Sequence, residues 1–223
     1  LLMVVGMPIG VALGLTVFLF MGVLANVPLE SVTLKMMSAV EKFELLAIPF
    51  FILAGNFLTS GGVARRMIRF ANVMVGHITG GLGMTAVAAC ALFAAVSGSS
   101  PATVLAIGSI LIPAMLKQGF SQRFAIGTVA SAGGLGILIP PSIVMVMYAV
   151  TTNSSIGALF MAGVVPGIVL TLMLAATTWW QAKKNHFPKQ PKASWRERWE
   201  AFRDAIWGLM LILIVMGGIY AGI

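Results

Sequence analysis

The stretch AAVSGSSPAT, residues 94–103, places serines, a glycine and a proline between two long apolar segments. Glycine and proline disfavour a continuous helix at this point. Backbone N–H and C=O groups released by a helix break cost several kcal/mol each in hydrocarbon, so protein, water or a bound ion must satisfy them. The stretch therefore predicts a binding site at membrane depth.

The composition indicates a membrane protein. Of the 223 residues, 59% are hydrophobic and only 9% are charged, whereas a soluble domain has about 25% charged residues. The net charge of +8 comes from basic clusters in predicted loops, which the positive-inside rule explains. These clusters lack the interleaved aromatic residues of a single-strand platform, so we expect no nucleic-acid partner.

The first part of the chain, residues 1–79, is predicted to form membrane spans and a helix on the membrane surface. An apolar run over 1–25 is long enough to cross the membrane, and a short interfacial helix over 29–44 leads into a second span over 45–60. Apolar and basic residues separate onto two faces over 63–76, which predicts a helix along the membrane surface. The chain begins without Met and ends within an apolar run, so we expect a fragment.

Residues 80–155 contain two apolar segments, each interrupted by helix-breaking residues. Segment 82–116 has two apolar arms, 82–96 and 102–116, on either side of a polar tip, residues 97–100. Two arrangements fit this pattern: two ordinary helices joined at the far face, or a re-entrant hairpin whose tip stops in mid-membrane. Short arms and an uncharged tip favour the re-entrant hairpin.

A second break follows within residues 122–152, where three glycines and two prolines over 133–141 interrupt an apolar run. We predict a discontinuous helix here. A connecting span over 156–180 ends in two tryptophans, which are typical of a membrane interface. The basic segment 181–204 is predicted to be a cytoplasmic loop, and 205–223 begins another span.

The polar residues of the two breaks suit a cation. Hydroxyls of the tip and backbone carbonyls freed by both breaks are neutral oxygen ligands, which favour a weakly held monovalent cation such as sodium. Helix N-termini at the same breaks carry positive partial charge toward a nearby anion. The alternative is that the serines and glycines only permit close packing.

Other chemistries lack the required residues. The predicted core contains no carboxylate, so a proton relay would lack a titratable group. Neither histidine, His77 nor His186, lies where it would act as a base in the core. Metal-ligand spacings and phosphate-binding glycine loops are absent from the sequence. We therefore expect no enzyme activity and no metal beyond sodium.

Four ordered segments, residues 48–55, 95–103, 108–120 and 134–142, resemble the large membrane subunit of the tripartite ATP-independent periplasmic (TRAP) transporters. The resemblance covers nearly the whole chain and implies an all-α polytopic membrane protein. It also implies an elevator-type transporter with inverted repeats, a re-entrant helical hairpin and a discontinuous helix. This chain would be the first repeat and the start of the second, with scaffold helices and an interfacial arm over 1–79 and the transport part over 80–155.

The resemblance further implies sodium-coupled uptake of an organic acid, such as a C4-dicarboxylate or a sialic acid, across the bacterial inner membrane. The expected partners are a small membrane subunit, a periplasmic substrate-binding protein and membrane lipids. Two alternatives remain open: a sodium- or proton-coupled anion permease that needs no binding protein, and a membrane scaffold or channel subunit that transports nothing.

Carried over residue by residue, the resemblance implies a sodium site with five ligand residues: Ser97, Ser99, Ser100, Gly134 and Gly136. Five further residues are expected to shape the tip and the broken helix: Gly98, Pro101, Thr103, Pro140 and Pro141. The chain departs from the family pattern at Gly133-Gly134, where a threonine often follows the first glycine. It also has no arginine in the predicted core to hold a substrate carboxylate.

Overall fold

The computed structural model describes residues 5–24 and 28–221. These residues form helices joined by turns and loops, and the described ranges contain no strand. The chain forms two compact units, Leu1–Leu45 and Leu46–Ile223. The ends of the apolar run predicted over 1–25 lie outside the described residues.

The first unit contains two short helices. Helix α1 covers Ile9–Leu19 and continues into a π-helical turn at Phe20–Leu24. Helix α2 covers Leu29–Val40. Pro8 and Pro28 directly precede these helices, because proline lacks the N–H that an interior helical position must donate. The predicted first span is therefore shortened at its start.

Helix α3, Ala47–Ser60, follows a 3₁₀ turn at Phe43–Leu46 and ends at the predicted glycine pair, where Gly62 has a φ of +76°. Helix α4, Val63–Val75, has the amphipathic pattern expected of the interfacial arm. Its apolar face packs against protein, since α4 contacts both the preceding helix α3 and helices that follow it in the chain. The buried residues of this face are Ala64, Met67, Ile68 and Ala71.

The hairpin has two helices, α5 over Gly81–Ser97 and α6 over Ser100–Lys117. Gly98 closes α5 with a φ of +59°, a conformation that glycine adopts without steric cost. Small residues along α5 allow its neighbours to approach closely, and Cys90 and Phe93 are fully buried. The predicted helix–tip–helix arrangement is confirmed, while its re-entrance stays a prediction.

The predicted discontinuous helix is confirmed. Helix α7 covers Gln122–Gly133, a single turn α8 covers Leu135–Leu138, and helix α9 covers Ile143–Thr152. The segment between α8 and α9 is extended at Ile139 and Ser142, and the helix direction changes by 41° across the break. Pro140 and Pro141 stop α8 because neither can donate a helical hydrogen bond.

The last two helices differ from the sequence prediction. Helix α10 covers Ile156–Lys184, a turn longer than predicted, and helix α11 covers Trp195–Ala221. The basic segment 181–204, predicted as a loop, is therefore a loop only over 185–194. Its two ends belong to α10 and α11. A capping box starts α11 early: the Ser194 N–H donates to Glu197 Oε2 at 2.7 Å, and the Glu197 N–H donates to Ser194 Oγ at 3.3 Å.

The helices of this chain cross a membrane. Among the described residues, four helices are long and apolar enough to span it, or five if the bent pair of α7–α8 with α9 counts as one span. The chain is thus an all-α polytopic membrane protein, as predicted. The division into scaffold, transport part and connecting segments concerns relative movement and stays a prediction.

Candidate functional site

The hairpin tip is a small, buried hydrogen-bond network. Ser97 is 1% exposed and Thr103 is fully buried, and their hydroxyl oxygens lie 3.0 Å apart. The Thr103 hydroxyl and N–H both donate to the Ser99 carbonyl, at 2.8 and 3.0 Å. The Ser99 hydroxyl accepts from the Ala102 N–H at the start of α6, at 3.5 Å. The tip therefore holds a fixed shape without any charged side chain.

The tip lies directly against the broken helix. The Ile143 N–H, at the start of α9, donates to the Gly98 carbonyl at 3.0 Å. On the other side, a Cβ built on Gly136 would lie 2.8 Å from Ser100 N and 2.9 Å from Ser99 O. Such distances leave no room for a side chain at position 136 unless the two backbones move apart. The two helix breaks predicted from sequence therefore meet backbone to backbone.

Several oxygen atoms at this contact have no hydrogen-bond donor among residues 5–24 and 28–221. The next helical turn of α8 would need N–H groups from residues 140 and 141, which are prolines, so the carbonyls of Gly136 and Ile137 lack their helical partners. Ser142 is fully buried, and its Oγ has no hydrogen-bond partner among the residues that the structure describes. A buried polar atom without a partner is costly, which indicates a ligand at this position.

Helix α3 adds a face to the site that the sequence analysis assigned to the scaffold. A cavity of about 220 Å³ lies between α3 and the tip, and Ser97, Ser99 and Asn56 line it. Gly55 allows the approach, since a Cβ built on it would lie 3.8 Å from the Ser97 carbonyl oxygen. The signal in the sequence was Asn56 itself, a lone amide within an apolar span.

The structure brings most of the predicted site residues together. Ser97, Ser99, Ser100 and Gly136 meet at the contact, and Thr103 belongs to the tip network. Gly98 and Pro141 also meet, since a Cβ on Gly98 would lie 2.7 Å from the Pro141 carbonyl.

Three predicted residues contribute less directly to this contact. The Gly134 carbonyl already accepts from the Ile137 N–H at 3.1 Å. Pro101 is exposed at the first turn of α6, and Pro140 lines an apolar cavity of about 370 Å³ on another side of the break. Whether each predicted residue binds sodium stays a prediction. Ser142 and Asn56 are the polar residues that the sequence analysis missed.

The site is electrostatically neutral. The sequence contains no Asp or Glu between Glu44 and Glu197, and the lining of the cavity beside the tip includes no charged residue. Nowhere in residues 5–24 and 28–221 do three or more His, Cys, Asp or Glu side chains form a metal-binding group. What the site offers are hydroxyls, carbonyls and the N-termini of α6 and α9.

Comparisons with known proteins show which family the chain resembles. The model of the tripartite ATP-independent periplasmic transporter family, DctM component, matches residues 1–223. The chain is 60% identical to the C4-dicarboxylate TRAP transporter large permease protein DctM of Rhodobacter capsulatus, over 100% of the chain and 54% of that protein. Identity to the protein of the same name from Vibrio cholerae is 52%, over 100% of the chain and 49% of that protein.

A third relative carries a composite name. The isethionate TRAP transporter permease protein DctMQ of Oleidesulfovibrio alaskensis is 42% identical over 100% of the chain and 35% of that protein. The chain therefore spans about half the length, or less, of these curated relatives.

Proposed function

Because the chain belongs to the DctM family of TRAP transporter large permeases, we propose that it forms the first half of a sodium-coupled uptake system for an organic acid. It is a multi-pass protein of the bacterial inner membrane. The two relatives with the highest identities quoted above carry C4-dicarboxylate in their names. A C4-dicarboxylate is accordingly the substrate class that we propose.

One observation carries the proposal: two helix breaks meet, and oxygen atoms at their contact have no donor in the part of the chain that the structure describes. The Gly136 carbonyl and the Ser142 hydroxyl are the clearest cases. Unwound backbone carbonyls of broken helices are typical ligands of coupling sodium ions in secondary transporters. A sodium ion at this contact would satisfy these atoms and would need no carboxylate.

The same contact supports an anionic substrate beside the cation. Helix α6 begins at Ser100 and helix α9 begins at Ile143, and both starts lie at the tip. Aligned peptide dipoles give each helix start a partial positive charge. Because no basic side chain lines the cavity beside the tip, helix N-termini supply the attraction from this half, and the rest of the transporter supplies any arginine.

The proposed partners are a small membrane subunit and a periplasmic substrate-binding protein. Family membership supports both, and the composite DctMQ name of one relative supports the first. We propose an elevator mechanism in which the hairpin and the broken helix carry the ligands. The second, inverted repeat would then provide a corresponding hairpin and complete the substrate site.

The test measures uptake of a labelled C4-dicarboxylate by the full-length permease with its partners in proteoliposomes, at varied sodium concentrations. Ser142→Ala is the sharpest variant, because loss of this hydroxyl should weaken sodium binding and yet stabilise the sodium-free protein. As a sodium ligand, its loss should raise the half-saturating sodium concentration about tenfold. The same loss should stabilise the sodium-free protein by about 1 kcal/mol, since an unpaired buried hydroxyl disappears.

Matched variants complete the experiment. The double variant Ser99→Ala with Ser100→Ala should also raise the half-saturating sodium concentration. Ser109→Ala, on the same helix α6 with its hydroxyl bonded to the Ala106 carbonyl at 3.2 Å, should behave as wild type. Uptake that is indifferent to sodium and to the tip serines would reject the proposal, and sodium-dependent uptake without the binding protein would identify a permease that acts alone.

A further inference from the structure

A polar groove of about 190 Å³ runs between the start of α7 and the end of α10, away from the hairpin tip. It contains one basic side chain, four hydroxyls and one amide. The side chains are those of Arg123, Thr128, Ser131, Thr177, Thr178 and Gln181. Arg123 and Ser131 are two helical turns apart, so the groove extends about 12 Å along α7.

Four of the polar side chains in this groove have no partner within the described part of the protein. Across residues 5–24 and 28–221, the side chains of Arg123, Thr128, Ser131 and Gln181 make no hydrogen bond or ion pair with another protein group. Thr178 packs its methyl group against α5, because a Cβ built on Gly83 would lie 3.1 Å from Thr178 Cγ2. Unpaired polar groups along a membrane helix need a polar ligand or water.

Aromatic residues indicate at which level of the membrane the groove lies. Trp179 and Trp180, 41% and 61% exposed, lie at the same end of α10. The Nζ atoms of Lys183 and Lys184 lie 5.3 and 5.8 Å from the centroids of these two rings. Tryptophans with nearby lysines are typical of the lipid headgroup level on the cytoplasmic side.

The positive charge of the groove and the apolar surface next to it both suit an anionic lipid. Its lining includes Arg123 and no acidic residue. One turn deeper in the membrane, α10 exposes the apolar side chains of Leu172 and Met173, where acyl chains can lie. A free anion would gain nothing from this apolar surface. Basic pockets between transmembrane helices on the cytoplasmic side bind lipid headgroups in this way.

We propose that the groove between α7 and α10 binds the phosphate of an anionic phospholipid from the cytoplasmic leaflet. Arg123 supplies the charge-assisted hydrogen bonds. Thr128, Ser131 and Gln181 donate to the remaining phosphate or glycerol oxygens. The site is separate from the proposed sodium site, and it does not depend on which substrate is carried.

The test uses the full-length permease with its small subunit, purified in a neutral detergent. Thermal unfolding is recorded while dioleoyl phosphatidylglycerol, dioleoyl phosphatidylcholine or inorganic phosphate is added. Phosphatidylglycerol should raise the unfolding midpoint in a saturable manner, because a ligand that binds only the folded state stabilises it. Arg123→Gln should raise the half-effective lipid fraction about fivefold.

Lys117→Gln is the matched control, because Lys117 is a neighbouring exposed cation that does not line the groove, and it should bind lipid as wild type does. The double variant Thr128→Val with Ser131→Ala keeps every charge and should still weaken binding. If Arg123→Gln does not fold, this double variant decides the question. The proposal is wrong if phosphatidylcholine or inorganic phosphate acts equally well, or if Lys117→Gln weakens binding as much as Arg123→Gln.

Discussion

Gly136→Ala is the substitution that most directly tests the contact between the two helix breaks. A Cβ at this position would lie 2.8 Å from both Ser99 C and Ser100 N, and 2.9 Å from Ser99 O. All three are backbone atoms, so no side-chain rotation can relieve the overlap. Ordinary contact distances start at about 3.5 Å, so the tip and the broken helix must separate by about 0.7 Å.

This separation has two measurable consequences. Overpacking of a fitted interior costs about 1–3 kcal/mol, and Gly136→Ala should lower the thermal unfolding midpoint accordingly. The proposed cation site, which takes ligands from both sides, would also lose its fitted distances, and misplacement by about 1 Å can cost a functional site up to about 10²-fold. For a shift of about 0.7 Å we expect the half-saturating sodium concentration to rise by at least about tenfold.

Uptake in proteoliposomes at varied sodium concentrations measures the second effect, and thermal unfolding measures the first. Gly157→Ala is the control, because a Cβ at the start of α10 would meet nothing closer than 3.9 Å, and it should change neither quantity appreciably. If Gly136→Ala leaves both stability and sodium dependence at their wild-type values, the two breaks do not meet as described.

Three further predictions concern an exposed ion pair, a loop and the core. Arg69 and Asp204 form an ion pair with side chains 52% and 41% exposed. A double-mutant cycle between them should give a coupling free energy of only about 0.2–1 kcal/mol for folding. A larger value would contradict solvent screening of this pair. Phe187→Ala should speed tryptic cleavage after Lys189, since Phe187 fixes the loop through rings 4.5 and 4.9 Å away; unchanged cleavage would show that the ring contacts do not hold the loop. Cys90, fully buried in α5, should resist maleimide labelling in the native protein and react only after unfolding.

The positions of the helix breaks could be predicted from sequence, because local chemistry determines them. Proline removes a donor and glycine adopts a left-handed turn regardless of the tertiary structure. Gly98 and Pro141 were recognisable for this reason. The start of α11 was missed although its signal was equally local, since Ser194 and Glu197 form a capping box that the basic charge of the segment obscured.

The partners of the tip could not be predicted in the same way. Which helix face lies beside Ser97 depends on packing between segments distant in sequence, and Asn56 is brought to the tip only by α3. In the sequence Ser142 is one residue of a proline-rich break, and only its burial without a hydrogen-bond partner among the described residues distinguishes it. Periodicity and composition predict elements, whereas a site requires knowledge of which elements meet.

The hairpin and the broken helix are joined at both ends, which bears on how a ligand would move. At the tip, the Gly98 carbonyl accepts from the Ile143 N–H at 3.0 Å. At the foot of the hairpin, the rings of Phe120, Phe124 and Phe187 form one cluster, with centroids 4.5 to 5.8 Å apart. A packed core resists gradual deformation, so opening the tip contact alone would strain a hairpin that is also fixed at its foot. We therefore expect any step that carries a bound ion to move the hairpin and the broken helix together as one body.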